Sequence, residues 1–311
     1  MLRQYMRTAL ARRLSAALLA LFLAAPGAAP AWQELEPGLE LGEFHAPDPG
    51  TSDDAIITVL RIDPGHFDFR VYMASEHGEP RTLDAWADDF GLVAAINASM
   101  YLPNHRTSTG LMRCGGHVNN GTINARFGSF LLSGPRREGL PEVRLVDRSF
   151  QDWRAALEDY SCAVQNYRMI SLNGKNLWKP DNHAFSIAAV AQDHEGRVLL
   201  LHSRAPLSVH DFSANLLALP LDVRTAMYVE GGREAGLYVR SRLMTKAWSG
   251  GYSSFLFAPA APGLHPLPNV IGVTRKPVEQ PVAQPAAKAA ATAAATAADQ
   301  APVQPPDQAA D

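Results

Sequence analysis

The segment "AMYVEGGREAGLYV", Ala226 to Val239, sets two carboxylates, Glu230 and Glu234, and a guanidinium, Arg233, inside an otherwise apolar run. A carboxylate at the end of a buried strand is suited to acid–base or charge-stabilising chemistry, and an arginine beside it matches the oxygens of a phosphate. A solvated turn is the alternative reading of Arg233 and Glu234. Two other apolar strands end in the same way. Asn97 follows "LVAAI", and Gln165 with Asn166 follows "CAV". Sheet proteins assemble sites from rigid strand ends and the loops after them, so these residues predict one shared polar pocket.

Several chemistries lack their motifs. The chain has no His-x-His, no His-Glu-x-x-His, no Gly-x-Ser-x-Gly elbow and no phosphate-binding glycine loop ahead of a helix. Its ten histidines are scattered; His202 and His210 flank one helix entry, and His183 precedes a strand. Each reads as a surface or packed residue.

The elements that must hold these residues alternate strands with a few helices. "AIITVLRI" (Ala55 to Ile62) and "FDFRVYMA" (Phe67 to Ala74) read as a hairpin around the "PGH" turn. "TLDAWADDFG" (Thr82 to Gly91) reads as a short helix, capped by Thr82 or Asp84 and stopped by Gly91. "LVAAINASMY" and "FGSFLL" are strands, and "SFQDWRAALEDY" is a helix turning Phe150, Trp153 and Leu157 inward. "CAVQNYRMIS" reads as one strand ended by the turn "NGK". "FSIAAVAQDHEGRVLLLHS" reads as a hairpin around Asp193 to Gly196. The helix "VHDFSANLLALP" between that hairpin and "TAMYVEGG" has the order of a crossover unit. "YSSFLFAP" is expected to be a closing strand. The fold class is α+β (mixed α/β), a mixed β-sheet core with a few packed helices.

Both ends lie outside that pattern. Arg3, Arg7, Arg12 and Arg13 precede the apolar run "LSAALLALFLAA", and "APA" follows it. A run of this length falls short of the roughly 20 residues that span a bilayer, so residues 1–31 read as a secretory signal peptide, with a retained anchor as the alternative. Residues 32–276 form the expected domain. Residues 277–311, nearly all Ala, Pro, Gln, Thr and Asp, hold too little apolar surface to offset their ordering entropy and read as a disordered tail. Removing the leader's four arginines takes the formal charge from −3 to −7. An acidic chain without a basic stripe is not a nucleic-acid binder. Two cysteines, Cys114 and Cys162, admit one intramolecular disulfide in an oxidising compartment, two free buried thiols being the alternative.

In order and spacing, "AINASMYLPNHRTSTGLMRCGGHVNNG", "FGSFLL", "CAVQNYRMISLNGK", "AAVAQDHEGRVLLLHSRAPLSVHDFSANLL" and "AMYVEGG" resemble the blocks of the phosphodiester glycosidase family, over roughly Ala55 to Phe257. The resemblance implies cleavage between an anomeric carbon and a phosphodiester oxygen. It carries Asn97, Thr109, Gly110, Gln165, Glu230, Gly231 and Gly232 over as site residues, and Tyr101, within the first block, joins the substrate-binding set. Glu230 is the leading catalytic carboxylate, with Glu234 or Asp211 as a second, while Arg168 and Arg233 are the candidates for the phosphate. The bland readings are that Glu230 caps backbone amides, that Arg168 is an exposed face residue and that His210 and Asp211 cap a helix.

Where the family has Ser-Gly-Pro, this chain has Asn166, Tyr167 and Arg168, and Arg233, Glu234 and Ala235 replace the serines after the glycines. The expectation is a periplasmic or secreted hydrolase of a carbohydrate phosphodiester or envelope glycan, without a transmembrane domain after signal cleavage. No cofactor is implied, and a divalent metal is left open. The alternatives are a non-catalytic glycan-binding protein and a metal-dependent phosphodiesterase.

Overall fold

The computed structural model describes residues 32–50, 55–251 and 263–277. The expected signal peptide, nearly all of the expected tail and the expected closing strand "YSSFLFAP" lie outside the described residues. The chain divides into Met1–Lys276 and Pro277–Asp311, and the architecture below is that of the first unit.

Seventeen strands form three sheets among the described residues, and every pairing is antiparallel. The seven-stranded sheet runs β1 (Gln33–Glu36), β2 (Leu39–His45), β3 (Ile56–Ile62), β13 (Val198–Leu207), β12 (Phe185–Asp193), β14 (Val223–Gly231), β11 (Arg168–Ile170). A five-stranded sheet runs β7 (His117–Asn120), β6 (Met112–Cys114), β10 (Tyr160–Asn166), β8 (Ser129–Pro135), β9 (Val143–Asp147). A third runs β16 (Thr245–Ser249), β15 (Gly236–Arg240), β5 (Ala94–Asn97), β17 (Asn269–Arg275), β4 (Phe67–Met73). The helices are a single turn α1 (Ala74–His77), then α2 (Leu83–Phe90), α3 (Trp153–Asp159) and α4 (Val209–Ala218).

Strand alternation explains how the layers meet. Along β3, Leu60 and Ile62 face a central core shared by all three sheets, while Ile57 and Val59 face the opposite way. That opposite face is covered by α4, through Val209, Phe212 and Leu216. Helix α2 covers the third sheet with Leu83 and Trp86, and α3 covers the second with Ala156. Each fully buried Leu or Phe on these faces stabilises by roughly 1.5–3 kcal/mol. The disulfide forms between Cys114 and Cys162 on the neighbouring strands β6 and β10. The hairpin β12–β13 and the crossover through α4 to β14 stand as expected. Gly91 ends α2 in the left-handed conformation (φ 64°).

Four local expectations are corrected. The turn after β3 forms, with His66 N–H donating to the Asp63 carbonyl, yet β3 and β4 are not a hairpin. Both edges of β3 are occupied by β2 and β13, so β4 passes to the third sheet and pairs with β17. The strand expected over 162–171 is two strands in two sheets, parted at Tyr167. Phe150 lies ahead of α3 and is exposed, because Asp152 caps that helix and accepts from the Arg154 and Ala155 amides. Helix α2 has Thr82 at its N-cap position without a side-chain cap; the hydroxyl bonds the Asp84 carboxylate instead.

Candidate active site

Glu230 is aimed by an irregularity in β14. The register passes from Tyr228 opposite Ala189 to Glu230 opposite Ala188, leaving one extra residue, Val229, in β14. A bulge of this kind breaks the two-residue alternation and redirects the side chain after it. The Gly231 N–H then donates to Glu230 Oε1 at 2.9 Å. Burial pushes the Glu230 carboxyl up to about 8; the Gly231 N–H pulls against this, and the Glu234 carboxylate adds to it. Glu230 therefore holds a proton at neutral pH.

The glycines after it are there for space and turn. A Cβ on Gly231 would lie 2.5 Å from the Tyr228 hydroxyl and 2.6 Å from the Phe185 ring. Gly232 takes the left-handed φ of 71°, opening a 3-10 turn over Gly232–Glu234.

That turn brings Glu234 to the same place. Its Oε1 lies 3.0 Å from Arg233 Nε and 3.8 Å from His265 Nε2. The Tyr101 hydroxyl hydrogen-bonds Glu234, and burial with the charges of Glu234 and Glu230 pushes Tyr101 up to about 12. Burial first, then Glu230 and Glu234, raises Tyr228 well above the usual phenol. Burial lowers His265, with Glu234 opposing. Beneath the turn, Asn97 at the end of β5 donates Nδ2–H to the Glu234 carbonyl and accepts from the Gly236 N–H at 3.0 Å. Glu230, Glu234, Arg233, Tyr101, Gly231 and Gly232 thus form one cluster, with Asn97 as its backbone support.

The remaining sequence candidates lie elsewhere. Gln165 is fully buried and every amide group is engaged: Oε1 accepts from the Leu111 and Asn124 amides, and Nε2 donates to the Asn124 and Phe127 carbonyls. It positions loops and offers no free group to a sugar, which corrects its assignment as a substrate contact. Gly110 permits that packing, since a Cβ there would fall 2.9 Å from the Gln165 carbonyl oxygen. The Thr109 hydroxyl bonds the Met100 carbonyl at 3.3 Å.

Asp211 is the third residue of α4, behind the N-cap Ser208, whose hydroxyl accepts from its amide and donates to its carboxylate at 2.8 Å. The N-cap is therefore Ser208 and not Asp211, whose carboxylate also lies 2.9 Å from His210 Nδ1; no hydrogen bond or ion pair joins it to Glu230. Arg168 stands opposite Met227 on β14, and its Nη1 donates to Asp147 Oδ1 at 2.8 Å. It is partly buried and ion-paired rather than an exposed face residue, and it too makes no contact with Glu230.

Sequence reading missed Tyr228 and His265. Tyr228 stood two residues before Glu230 in the same strand, a signal within reach. His265 lies past the chain's return through β15 and β16, and no spacing rule points to it. Among the described residues no three His, Cys, Asp or Glu side chains are grouped so as to hold a metal ion, and no helix is long and apolar enough to cross a membrane.

Comparison with known proteins gives the chain a family. No curated protein matches the chain. Among solved structures, a hypothetical protein from Synechocystis superposes with a TM-score of 0.56 at 14% identity, covering 80% of this chain. The chain spans 64% of that protein's length. The catalytic domain of zebrafish N-acetylglucosamine-1-phosphodiester alpha-N-acetylglucosaminidase, auto-inhibited by its pro-peptide, superposes with a TM-score of 0.54 at 11% identity, covering 80% of this chain and 87% of that one. These likenesses concern the fold. The family model of the phosphodiester glycosidases matches residues 90–274, from the end of α2 through β17, which takes in every residue of the Glu230 cluster. The chain belongs to the phosphodiester glycosidase family.

Proposed function

We propose that the protein hydrolyses a sugar phosphodiester at the bond between the anomeric carbon and the bridging oxygen, with Glu230 as proton donor. The observation that carries this is a carboxyl raised to about 8 beside a second carboxylate paired with arginine. As the anomeric C–O bond breaks, its electron pair stays on the bridging oxygen, which Glu230 protonates. Water adds its oxygen to the anomeric carbon, and Glu234 accepts the proton that water releases. The products are the free sugar and a phosphate monoester. Arg233 sits to steady the phosphate, and the Tyr101 hydroxyl, held protonated, donates to Glu234 and orients it.

We assign the activity to the periplasm or the exterior, on the support of the Cys114–Cys162 disulfide and the leader-like composition of residues 1–31. The test is Glu230→Gln assayed on a sugar-1-phosphodiester. Loss of turnover with an unchanged melting profile supports the role, and retained turnover removes Glu230 from the chemistry. Tight binding of a phosphoglycan by the wild type with no product would instead favour a glycan-binding protein on this scaffold.

A further inference from the structure

The break at Tyr167, where the chain leaves one sheet for another, opens onto a cavity apart from the Glu230 cluster. Its volume is about 510 Å3, and its lining includes Arg126, Arg148, Arg168 and Lys179 with the rings of Tyr167 and Trp178. Four cations share this space on a chain whose net charge is negative. No carboxylate lines it among the described residues; Asp147, which pairs with Arg168, is 1% exposed and already serves three donors, Arg168 and the Ser149 and Leu172 amides. Arg148 donates to the backbone carbonyls of Asn124, Ala125 and Phe127, which orient it, and faces the Trp153 ring at 5.4 Å, with no carboxylate partner among the described residues. Arg126 and Lys179 are exposed and have no carboxylate partner among the described residues. Like charges gathered this closely repel, and an anion seated among them relieves that cost.

The cavity is also shaped. A Cβ on Gly128 would come within 2.6 Å of Arg168 Nε, so glycine is what lets this guanidinium lie against the backbone. Trp178 is fixed by a 2.9 Å hydrogen bond from Nε1 to the Arg168 carbonyl. Its ring centroid stands 5.7 Å from Tyr167 and 6.1 Å from Tyr228. Tyr228 in turn reaches the Glu230 cluster, so a row of aromatic rings joins the cationic cavity to the candidate catalytic carboxyl. Flat rings offer the apolar face of a sugar a stacking surface, and guanidinium forks bind its charged substituent.

We propose that this cavity is a subsite for a negatively charged sugar unit, phosphorylated or uronic, belonging to the same glycan that presents its phosphodiester to Glu230. The choice of a sugar rests on the glycosidase reading above; the preference for an anion rests on the cations alone. The enzyme would then act on an acidic polymer, gripping one charged residue while cleaving at another.

Calorimetric titration of the full chain carrying Glu230→Gln tests this, with glucose 6-phosphate, glucuronate, glucose and adenosine monophosphate as probes. Glucose 6-phosphate or glucuronate, or both, should bind at least about tenfold more tightly than glucose, and the stronger of the two identifies the substituent. Raising the salt should weaken that binding. Arg126→Ala with Lys179→Ala should weaken it about tenfold or more and flatten the salt dependence, with no change in melting because both side chains are exposed. Equal binding of glucose, tighter binding of adenosine monophosphate, an unaffected double variant, or no binding at millimolar concentration would each overturn the proposal. Binding here is read without turnover. A wild type that never cleaves a sugar phosphodiester would defeat the catalytic reading and leave this one standing.

Discussion

Asn97 holds Glu234 by the backbone, donating to its carbonyl and accepting from the Gly236 amide two residues on. One buried amide on β5 thereby fixes the exit of the turn that carries a candidate catalytic carboxylate. Asn97→Ala leaves two buried backbone groups without partners. It should cost about 1–3 kcal/mol in urea unfolding, and it should lower kcat more than it raises KM, since Glu234 loses its position rather than its charge.

The raised Glu230 carboxyl predicts an opposite pH trend from that of ordinary surface carboxylates. Folded Glu230 keeps its proton to about pH 8, whereas the unfolded glutamate releases it near 4.5. Between those values the native state binds more protons than the unfolded one, so this group's contribution to stability falls as pH rises through that window. Unfolding measured from pH 4 to 9 should show a decline that Glu230→Gln flattens. As a proton donor, Glu230 also predicts that kcat/KM drops above about pH 8; a limb that instead rises with pH there would make it a base.

Tyr101 should remain a donor through the whole neutral range, being pushed up to about 12. Tyr101→Phe removes the hydrogen bond to Glu234 and should reduce kcat by about ten- to a hundredfold, while the pH limb near 8 stays in place. A shift of that limb on substitution would mean Tyr101, not Glu230, titrates there.

Cys114 and Cys162 are 48 residues apart in the chain. Replacing both with alanine should destabilise by about 4 kcal/mol in the chain-entropy view, and a reducing agent should lower the wild-type melting temperature toward that of the variant. Denaturant titration of the two oxidised and reduced proteins gives the comparison.

Gln165 makes four bonds to backbone groups from full burial. Gln165→Ala should therefore lose more stability than Asn97→Ala, through unpaired amides and a cavity together. Rapid proteolysis near residues 109–127 would report the loosened loops.

Much of this was legible from residues alone. Glu230 and Asn97 announced themselves as polar groups ending apolar strands, and the β12–β13 hairpin with its crossover helix followed from local patterning. What escaped reading was non-local. The "PGH" turn forms, but nothing near it says that β3 has both edges taken. Tyr167 stands between the polar pair Gln165–Asn166 and Arg168, in a run without glycine or proline, so no turn residue marks the jump between sheets. Gln165 had the residue type of a ligand contact, and only its full burial exposes it as a support. The cationic cavity draws Arg126, Arg148 and Lys179 from separate loops, whose meeting is set by packing and not by spacing.

The place of β17 carries a consequence for timing. This strand, residues 269–275, lies between β5 and β4 and supplies the partner of each. Until it emerges, β5 has β15 on one side and an open edge on the other, and Asn97 has no finished sheet to brace the Glu234 turn. A chain delivered amino end first thus carries its candidate catalytic residues for some while before the sheet that braces them is closed, and β17, the last strand among the described residues, is the piece that closes it.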